Sequence, residues 1–254
     1  MRLLSVRNDR LIPRADRERY RRDGFVVVPE LLSPVELDDF LSHEPVIPSW
    51  GNGPQPLQRF RSEPHWHRLV SNTRIVAALS ELLESVPHVV EAIYIPKFAA
   101  AGGGGSQGTA FHRDIDHIRV DPPTLIGCWI ALVDTDLENG GLCVVPGSHL
   151  SEPPMTDETA FAAEGGWIEN EMRDRSGHVW IDRFQSMKFS RLAPEAIEPL
   201  TVLAGGAVFF DGALVHGAAS NVSRDRDRLV ASLHYVAQGS WVFRTDIQET
   251  LAVV

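Results

Sequence analysis

The apolar positions of this chain change rhythm near residue 88. Before that point they recur three and four residues apart. In "NTRIVAALSELLES" this spacing puts Ile75, Leu79, Leu82 and Leu83 on one helical face. "LSPVELDDFLSH" opens a helix with Ser33 as N-cap, Pro34 at the first helical position and Glu36 closing a capping box. "DRERYRRDG" predicts a short charged helix stopped by Gly24, and "FVVVPEL" a β-rich run behind it. After residue 88 the apolar runs are short and cut by Gly, Pro, Asn and Asp. "HVVEAIYIPKFA", "TAFHRDIDHIRV", "TLIGCWIALVDT", "GLCVVPGSHL", "EPLTVLAGGAVFFDG" and "RLVASLHYVAQ" each read as strand. Helices first and short strands afterwards predict a mainly β fold with flanking helices, a sandwich or barrel. The mixed, polar segment 150–199 is longer than an ordinary connection and reads as a lid or binding loop.

Size and charge narrow the class. With 254 residues, 43% of them apolar, the chain can bury a substantial core and suits one large domain. A net charge of −10 speaks against nucleic acid and against an anionic membrane surface as partners. Cys128 and Cys143 lie in apolar runs, which predicts buried reduced thiols rather than a disulfide scaffold. No run is apolar enough for a signal peptide or a transmembrane helix, so the expectation is a cytoplasmic protein. Nothing in the pattern speaks to oligomeric state.

Candidate chemistry concentrates in "FHRDIDH", residues 111–117, which follows the glycine-rich "AAAGGGGSQGTA". If 111–117 is a strand, His112, Asp114 and Asp116 share one face, and Arg113, Ile115 and His117 the other. His112 and Asp114 can then grip one ion together. A lone His-x-acid pair is not specific, because ten histidines and 34 acidic residues give roughly one such match by chance. The segment "GGAVFFDGALVHGAASNVSRDRDRLVASLHYV" adds His216 in an apolar context and Arg228 twelve positions later. Two histidines and a carboxylate make a facial triad that leaves coordination positions open, the pattern of non-haem Fe(II) in oxygen chemistry. An arginine in the same cavity can clamp a carboxylate through two hydrogen bonds.

Together these ordered motifs resemble the phytanoyl-CoA dioxygenase family of Fe(II)/2-oxoglutarate oxygenases. "YRRDGFVVVPELLSPVELDDF" resembles the family's opening helix, strand and helix. "FHRDIDH" falls at its His-x-Asp, and "VHGAASNVSRDRDR" at its distal histidine and arginine. "CWIALVDTDLENGGLCVVPGSHL" resembles its tryptophan strand, Asn-Gly turn and Pro-Gly-Ser-His. The resemblance implies a double-stranded β-helix (a cupin-like jelly roll) forming one domain over 1–254. N-terminal helices would span 15–87, the jelly-roll core 88–149 and 200–240, and a lid insertion 150–199. It implies that His112, Asp114 and His216 bind Fe(II) and form the catalytic centre. Arg228 would hold the far carboxylate of the co-substrate 2-oxoglutarate, and Trp129 would lie near it, with O2 as second co-substrate. The implied reaction hydroxylates an unactivated C–H of a small metabolite or natural-product intermediate and releases succinate and CO2. Asp114 itself favours oxygenation, since related halogenases carry a small residue there. The chain departs from the family at Ala218, where a hydroxyl residue is usual, and at Gly206-Ala207, usually Gly-Asp. Arg226 is a rival to Arg228 for the clamp.

Other residues carry lesser expectations. His65 and His67 in "EPHWHRL" read as part of a loop over the barrel mouth, and His149 as a turn organiser. Tyr94 and Lys97, in "IYIPKF", resemble a family strand bordering the co-substrate, with at most one of them pointing inward. Trp167, Met172, Arg173, Arg175, Trp180, Arg183, Phe184, Met187, Lys188 and Arg191 give the 150–199 segment the means to enclose an organic substrate with an anionic group. The glycine run reads as a hairpin tip or a gate. Two other functions suit the same residues: a non-catalytic, metal-dependent small-molecule binding jelly roll, and a metal-dependent isomerase or hydrolase.

Overall fold

The structure, a computed structural model, describes residues 11–46, 55–99, 106–155, 167–185, 189 and 191–254. The expected gate at 100–105, together with Met187 and Lys188, lies outside these described residues.

The N-terminal part folds as its pattern predicts. Helix α1 (Arg14–Asp23) ends at Gly24, whose φ of 84° is left-handed and whose N–H donates to the Tyr20 carbonyl. Strand β1 (Phe25–Val28) follows. Helix α2 (Pro34–His43) carries the Ser33–Glu36 capping box in full. Helix α4 (Thr73–Leu83) is capped by Asn72 and buries Ile75 and Leu79. Between them "EPHWHRL" is not a loop over the barrel mouth. It is helix α3 (Pro64–Val70), with Pro64 at its start and His65, Trp66, Leu69 and Val70 buried. Pro64 is the first helical residue, where its missing N–H costs nothing.

Strands β2 (Pro87–Tyr94), β3 (Thr109–His112), β4 (Val120–Asp121), β5 (Ile126–Ala131), β6 (Leu142–Val144), β7 (Trp167–Arg173) and β8 (Val179–Gln185) come next. Strands β9 (Glu198–Pro199), β10 (Ala207–Asp211), β11 (His216–Ala218), β12 (Val230–Ala237), β13 (Trp241–Val242) and β14 (Leu251–Ala252) complete the chain. Six form an antiparallel sheet in the order β1-β10-β5-β12-β2-β14, and four form a second in the order β3-β11-β6-β9. This is the two-sheet jelly roll that the resemblance implies, within the mainly β fold read from the pattern.

Alternation along β12 explains the layers. Ala231, Leu233 and Tyr235 pack with Phe40, Trp66, Ile75 and Leu79 of the helices. Val230 faces the other way and packs with Trp129, Val208, Phe210, Leu142 and Val144 between the sheets. The large sheet is therefore buried on both faces, which is why its strands read as continuous apolar runs. Residues 228, 232 and 234 share the parity of Val230 and point to the same interior.

The segment 150–199 differs from its expectation. Its described part holds a hairpin, β7 paired with β8 from Trp167↔Gln185 to Arg173↔Val179. The hairpin is fastened to the body through backbone bonds from Arg173 to Phe243 and from Thr245 to Glu171. Polar, aromatic-rich strands exposed on one face lack the alternation that marks a half-buried strand. Met172 is wholly buried, while Trp167 is 61% exposed. No described helix is long and apolar enough to cross a membrane.

Candidate metal centre

The centre lies where the small sheet faces the large one. His216 of β11 and His112 of β3 are direct cross-strand partners. Their rings stand 4.4 Å apart. The strand stops at His112, and Asp114 opens a single helical turn, α5 (Asp114–His117). That turn is held to the loop after β10 by a 2.9 Å bond from the Ile115 N–H to the Gly212 carbonyl. Strand alternation is therefore not what brings His112 and Asp114 together, although they do meet. His112 Nε2 lies 3.3 Å and His216 Nε2 3.6 Å from Asp114 Oδ1. The turn also corrects His117, which does not face away but sits edge-on to His112 at 5.3 Å. Asp116, half-buried on the same turn, does not share a strand face with the triad.

Each imidazole is oriented from behind. His112 Nδ1 is 2.8 Å from the Ala110 carbonyl, and His216 Nδ1 is 3.0 Å from the Leu214 carbonyl. A carbonyl only accepts, so each Nδ1 carries the hydrogen and each Nε2 presents a lone pair. Phe210 packs on the His216 ring at 4.5 Å. The Phe210 ring also lies across Gly127, where an added Cβ would come within 2.2 Å of it. Glycine at 127 thus makes room for the aromatic wall behind the distal histidine.

Two lone pairs and an anionic oxygen converging this closely call for a cation between them. Separations of 3.3 and 3.6 Å approach the roughly 3 Å edge of an octahedron with bonds of about 2.1 Å. The residues present therefore fit a divalent metal that takes nitrogen and oxygen ligands. Burial opposes a charge on His112, but with no cation in place the Asp114 carboxylate outweighs it and raises His112, whose Nε2 proton a bound metal would displace; Asp114 and His216 are already set for one. Burial alone would raise the Asp114 carboxyl, but His216, His234 and His112 outweigh it and hold it well below the carboxylate range. Burial with the His112 charge, only partly offset by Asp114, pushes His216 down to about 4, the neutral form a metal needs.

His234 is a member of this centre that sequence reading missed. Its Nε2 lies 2.7 Å from Asp114 Oδ2, and its Nδ1 3.2 Å from Glu91 Oε1. Burial opposes its charge, but the two carboxylates prevail and raise it to about 10. The available signal was parity: in "RLVASLHY", His234 sits in phase with Arg228, opposite Leu233 and Tyr235.

Arg228 is 1% exposed. Its Nη1 donates to the Ile95 carbonyl at 3.1 Å, and its Nε has no partner. Among the described residues it has no carboxylate neighbour, and burial lowers it to about 10. Arg226, its rival, is spent on Asp136 and Glu138 at 2.8 and 2.6 Å. Lys97 pairs with Arg228 through the backbone and sends its Nζ 2.6 Å from the Ala219 carbonyl. Burial, then the Arg228 charge, lowers Lys97 to about 7. Tyr94 instead packs in the helix-side core. Two buried cations without an acid thus share the interior, as a dianion would require. Trp129 lies in the apolar cluster between the sheets, opposite Val208 and Ser232.

Elsewhere, His149 packs on Gly24 and reaches the Arg21 carbonyl at 3.2 Å, the turn-organising position expected of it. Both cysteines are buried and free. Arg175 is held by the Asp121 and Gly239 carbonyls and lies over Trp241. Arg183 lies over Trp167 at 4.8 Å.

Comparison with known proteins agrees with this geometry. The phytanoyl-CoA dioxygenase family model matches residues 20–230. The chain is 30% identical over 181 residues to phytanoyl-CoA dioxygenase domain-containing protein 1 of Bos taurus, covering 70% of this chain and 55% of that one. It is 26% identical over 245 residues to an ectoine dioxygenase of Nocardia farcinica, covering 80% and 71%. Among solved structures it resembles the epimerase SnoN in complex with Fe3+, alpha ketoglutarate and nogalamycin RO. There the TM-score is 0.65 and the identity 25%, with 91% of this chain and 86% of that one covered. The chain spans little more than half the length of the first curated relatives it matches. With its ordered motifs, its jelly roll and a family match across most of its length, the chain belongs to the phytanoyl-CoA dioxygenase family.

Proposed function

We propose that this protein is an Fe(II)- and 2-oxoglutarate-dependent oxygenase. In this reading it hydroxylates an unactivated C–H of a small metabolite or natural-product intermediate and releases succinate and CO2. The observation that carries the reading is the pairing of an open three-ligand centre with a buried, acid-free arginine. His112, Asp114 and His216 would hold Fe(II) on one side and leave the other for co-substrate and O2. Bound there, the iron with 2-oxoglutarate and O2 supplies the oxidising power for C–H cleavage.

The chain's own residues bind and orient. Arg228 would take the distal carboxylate in a bidentate pair, which satisfies its unpartnered Nε. Lys97 adds a second positive charge. The carbonyls of Ala110 and Leu214 keep both imidazoles in the ligating tautomer. Trp129 and Phe210 would keep the interior dry. The same reading takes 1–254 as one domain, since β1 and β14 belong to one sheet. A second outcome, epimerisation by the same centre, is favoured by the likeness to a structure named an epimerase.

The test is anaerobic titration of the Fe(II)-loaded protein with 2-oxoglutarate, followed by the visible metal-to-ligand charge-transfer band. The band is expected in the wild type, with much weaker binding in Arg228→Ala. Its absence from folded, iron-loaded protein would remove the centre of this reading. A non-catalytic binding jelly roll or a metal-dependent isomerase would then take its place. Succinate release with a hydroxylated product, against succinate release with an epimer, separates the two outcomes.

A further inference from the structure

The carboxylate of Asp114 is shared between two kinds of partner. Its Oδ1 is the oxygen that faces His112 and His216, at 3.3 and 3.6 Å. Its Oδ2 is taken by His234 Nε2 at 2.7 Å. A carboxylate only accepts, so the Nε2 of His234 donates the hydrogen. On the far side of the same ring, Nδ1 faces Glu91 Oε1 at 3.2 Å. The other Glu91 oxygen lies 3.9 Å from Arg244 Nη1, and Arg244 is paired with Asp246 at 2.6 Å. Asp114, His234 and Glu91 are 7%, 4% and 4% exposed. Water is therefore kept from the His234–Asp114 hydrogen bond, while Glu91 beside Nδ1 makes a charge contact without hydrogen-bond geometry.

The fold sets this row deliberately. His234 of β12 stands beside Glu91 of β2 on one flank and Gly127 of β5 on the other. The register of β2 against β12 shifts immediately after His234. Gly127 leaves the flank open, and Phe210 fills it. The large sheet thus presents one imidazole to the metal centre formed by the small sheet. None of the three proposed metal ligands belongs to the large sheet.

We propose that His234, backed by Glu91, is a positioning residue that makes Asp114 a one-oxygen ligand. With Oδ2 occupied, only Oδ1 remains for the metal, and the coordination position that a second oxygen would take stays free. Without His234 the carboxylate can rotate and bind through both oxygens, or turn away altogether. The inference rests on the reading of His112, Asp114 and His216 as the metal centre.

Metal binding without turnover tests it. Mn(II) affinity is measured from the free-ion electron paramagnetic resonance signal, and coordination from the visible absorption of the Co(II)-loaded protein. The probes are wild type, His234→Leu, His234→Gln and Glu91→Gln. His234→Leu is expected to weaken Mn(II) binding about 10- to 100-fold and to change the Co(II) band intensity. His234→Gln, whose amide N–H can reach the same oxygen, is expected to recover most of the affinity and the wild-type spectrum. Glu91→Gln is expected to fall between them. A folded His234→Leu protein with wild-type Mn(II) affinity and spectrum overturns the proposal. If that variant does not fold, wild-type Mn(II) affinity and an unchanged Co(II) spectrum in Glu91→Gln overturn it instead. Loss of Mn(II) binding in the wild type itself would overturn the metal centre, and this inference with it.

Discussion

Among the described residues, two places gather three metal-capable side chains within reach of one ion: Glu44, Glu63 and His65 in the helical layer, and His112, Asp114 and His216 in the jelly roll. The first already contains its own cation. Arg59 donates to both oxygens of Glu44 at 2.7 and 2.9 Å and to both oxygens of Glu63 at 2.7 and 2.6 Å. His65 and Trp66 complete Glu44 at 3.0 and 2.9 Å. The second has no internal cation between its converging atoms. What separates a structural knot from a metal centre is therefore not the density of ligands. It is whether the protein has already spent their lone pairs.

The largest effects follow from exchanging the two roles. Asp114→Ala should abolish Mn(II) and Fe(II) binding. A saturating metal at about 100 times its Kd stabilises a folded protein by about 2.7 kcal/mol. Thermal unfolding with and without metal should show that gain in the wild type and not in the variant. Glu44→Leu should do the opposite. It takes from the Arg59 guanidinium, whose side chain is 8% exposed, the more deeply buried of its two carboxylates, and it leaves His65 and Trp66 without their shared acceptor. Urea unfolding should report a loss of about 3–5 kcal/mol, as for breaking a buried ion pair from one side. The metal-dependent gain should survive in that variant. A Glu44 variant that loses metal binding would erase the distinction between the two clusters.

The same contrast extends to the two arginines. Arg228 is buried with no carboxylate partner among the described residues, whereas Arg226 is half-buried and paired with one. Arg228→Ala should weaken 2-oxoglutarate binding about 10- to 100-fold, the loss expected for charge-assisted bonds in a buried site. Arg228→Lys keeps the charge but not the planar fork, and should fall between. Arg226→Ala should leave the affinity unchanged in the same titration. A reversal of this order would reassign the clamp.

These contrasts also mark how far the sequence could be read. The capping box at Ser33, the stop at Gly24 and the parity of β12 are local, and the pattern shows them directly. His112 and Asp114 were paired by the wrong geometry: a strand was expected where a helical turn begins, because one turn of four residues has no period to detect. His234 and Glu91 stand 120 and 23 positions from Asp114. Only the register of β12 against β2 brings them together, and register is a tertiary property. The β7–β8 hairpin was hidden for a different reason. Its strands carry charges and aromatics on an exposed face, so no apolar alternation announced them, and the Ser176-Gly177 turn signal between them stood without flanking apolar runs.

The smallest effect, and the one that sharpens the comparison most, concerns pH. Lys97 is a buried cation beside Arg228 whose proton is already loosened, with burial and then Arg228 lowering it from 10.5 to about 7. The folded protein therefore binds fewer protons than the unfolded chain between about pH 7 and 10.5, and this group's penalty is relieved as pH rises through that window. A bound dianion reverses the shift, because the charged lysine now has a partner. At pH 6 Lys97 is protonated before and after binding, so 2-oxoglutarate should bind without proton uptake. At pH 8 the free side chain is mostly neutral, so binding should draw in close to one proton, and affinity should fall by up to about tenfold per pH unit above 7. Titration calorimetry in two buffers of different ionisation enthalpy measures that uptake. In Lys97→Met the uptake should vanish and the affinity should become flat over the same range. Uptake that persists in the variant would move the titrating group elsewhere, and no uptake in the wild type would leave Arg228 as the dianion's sole buried cation.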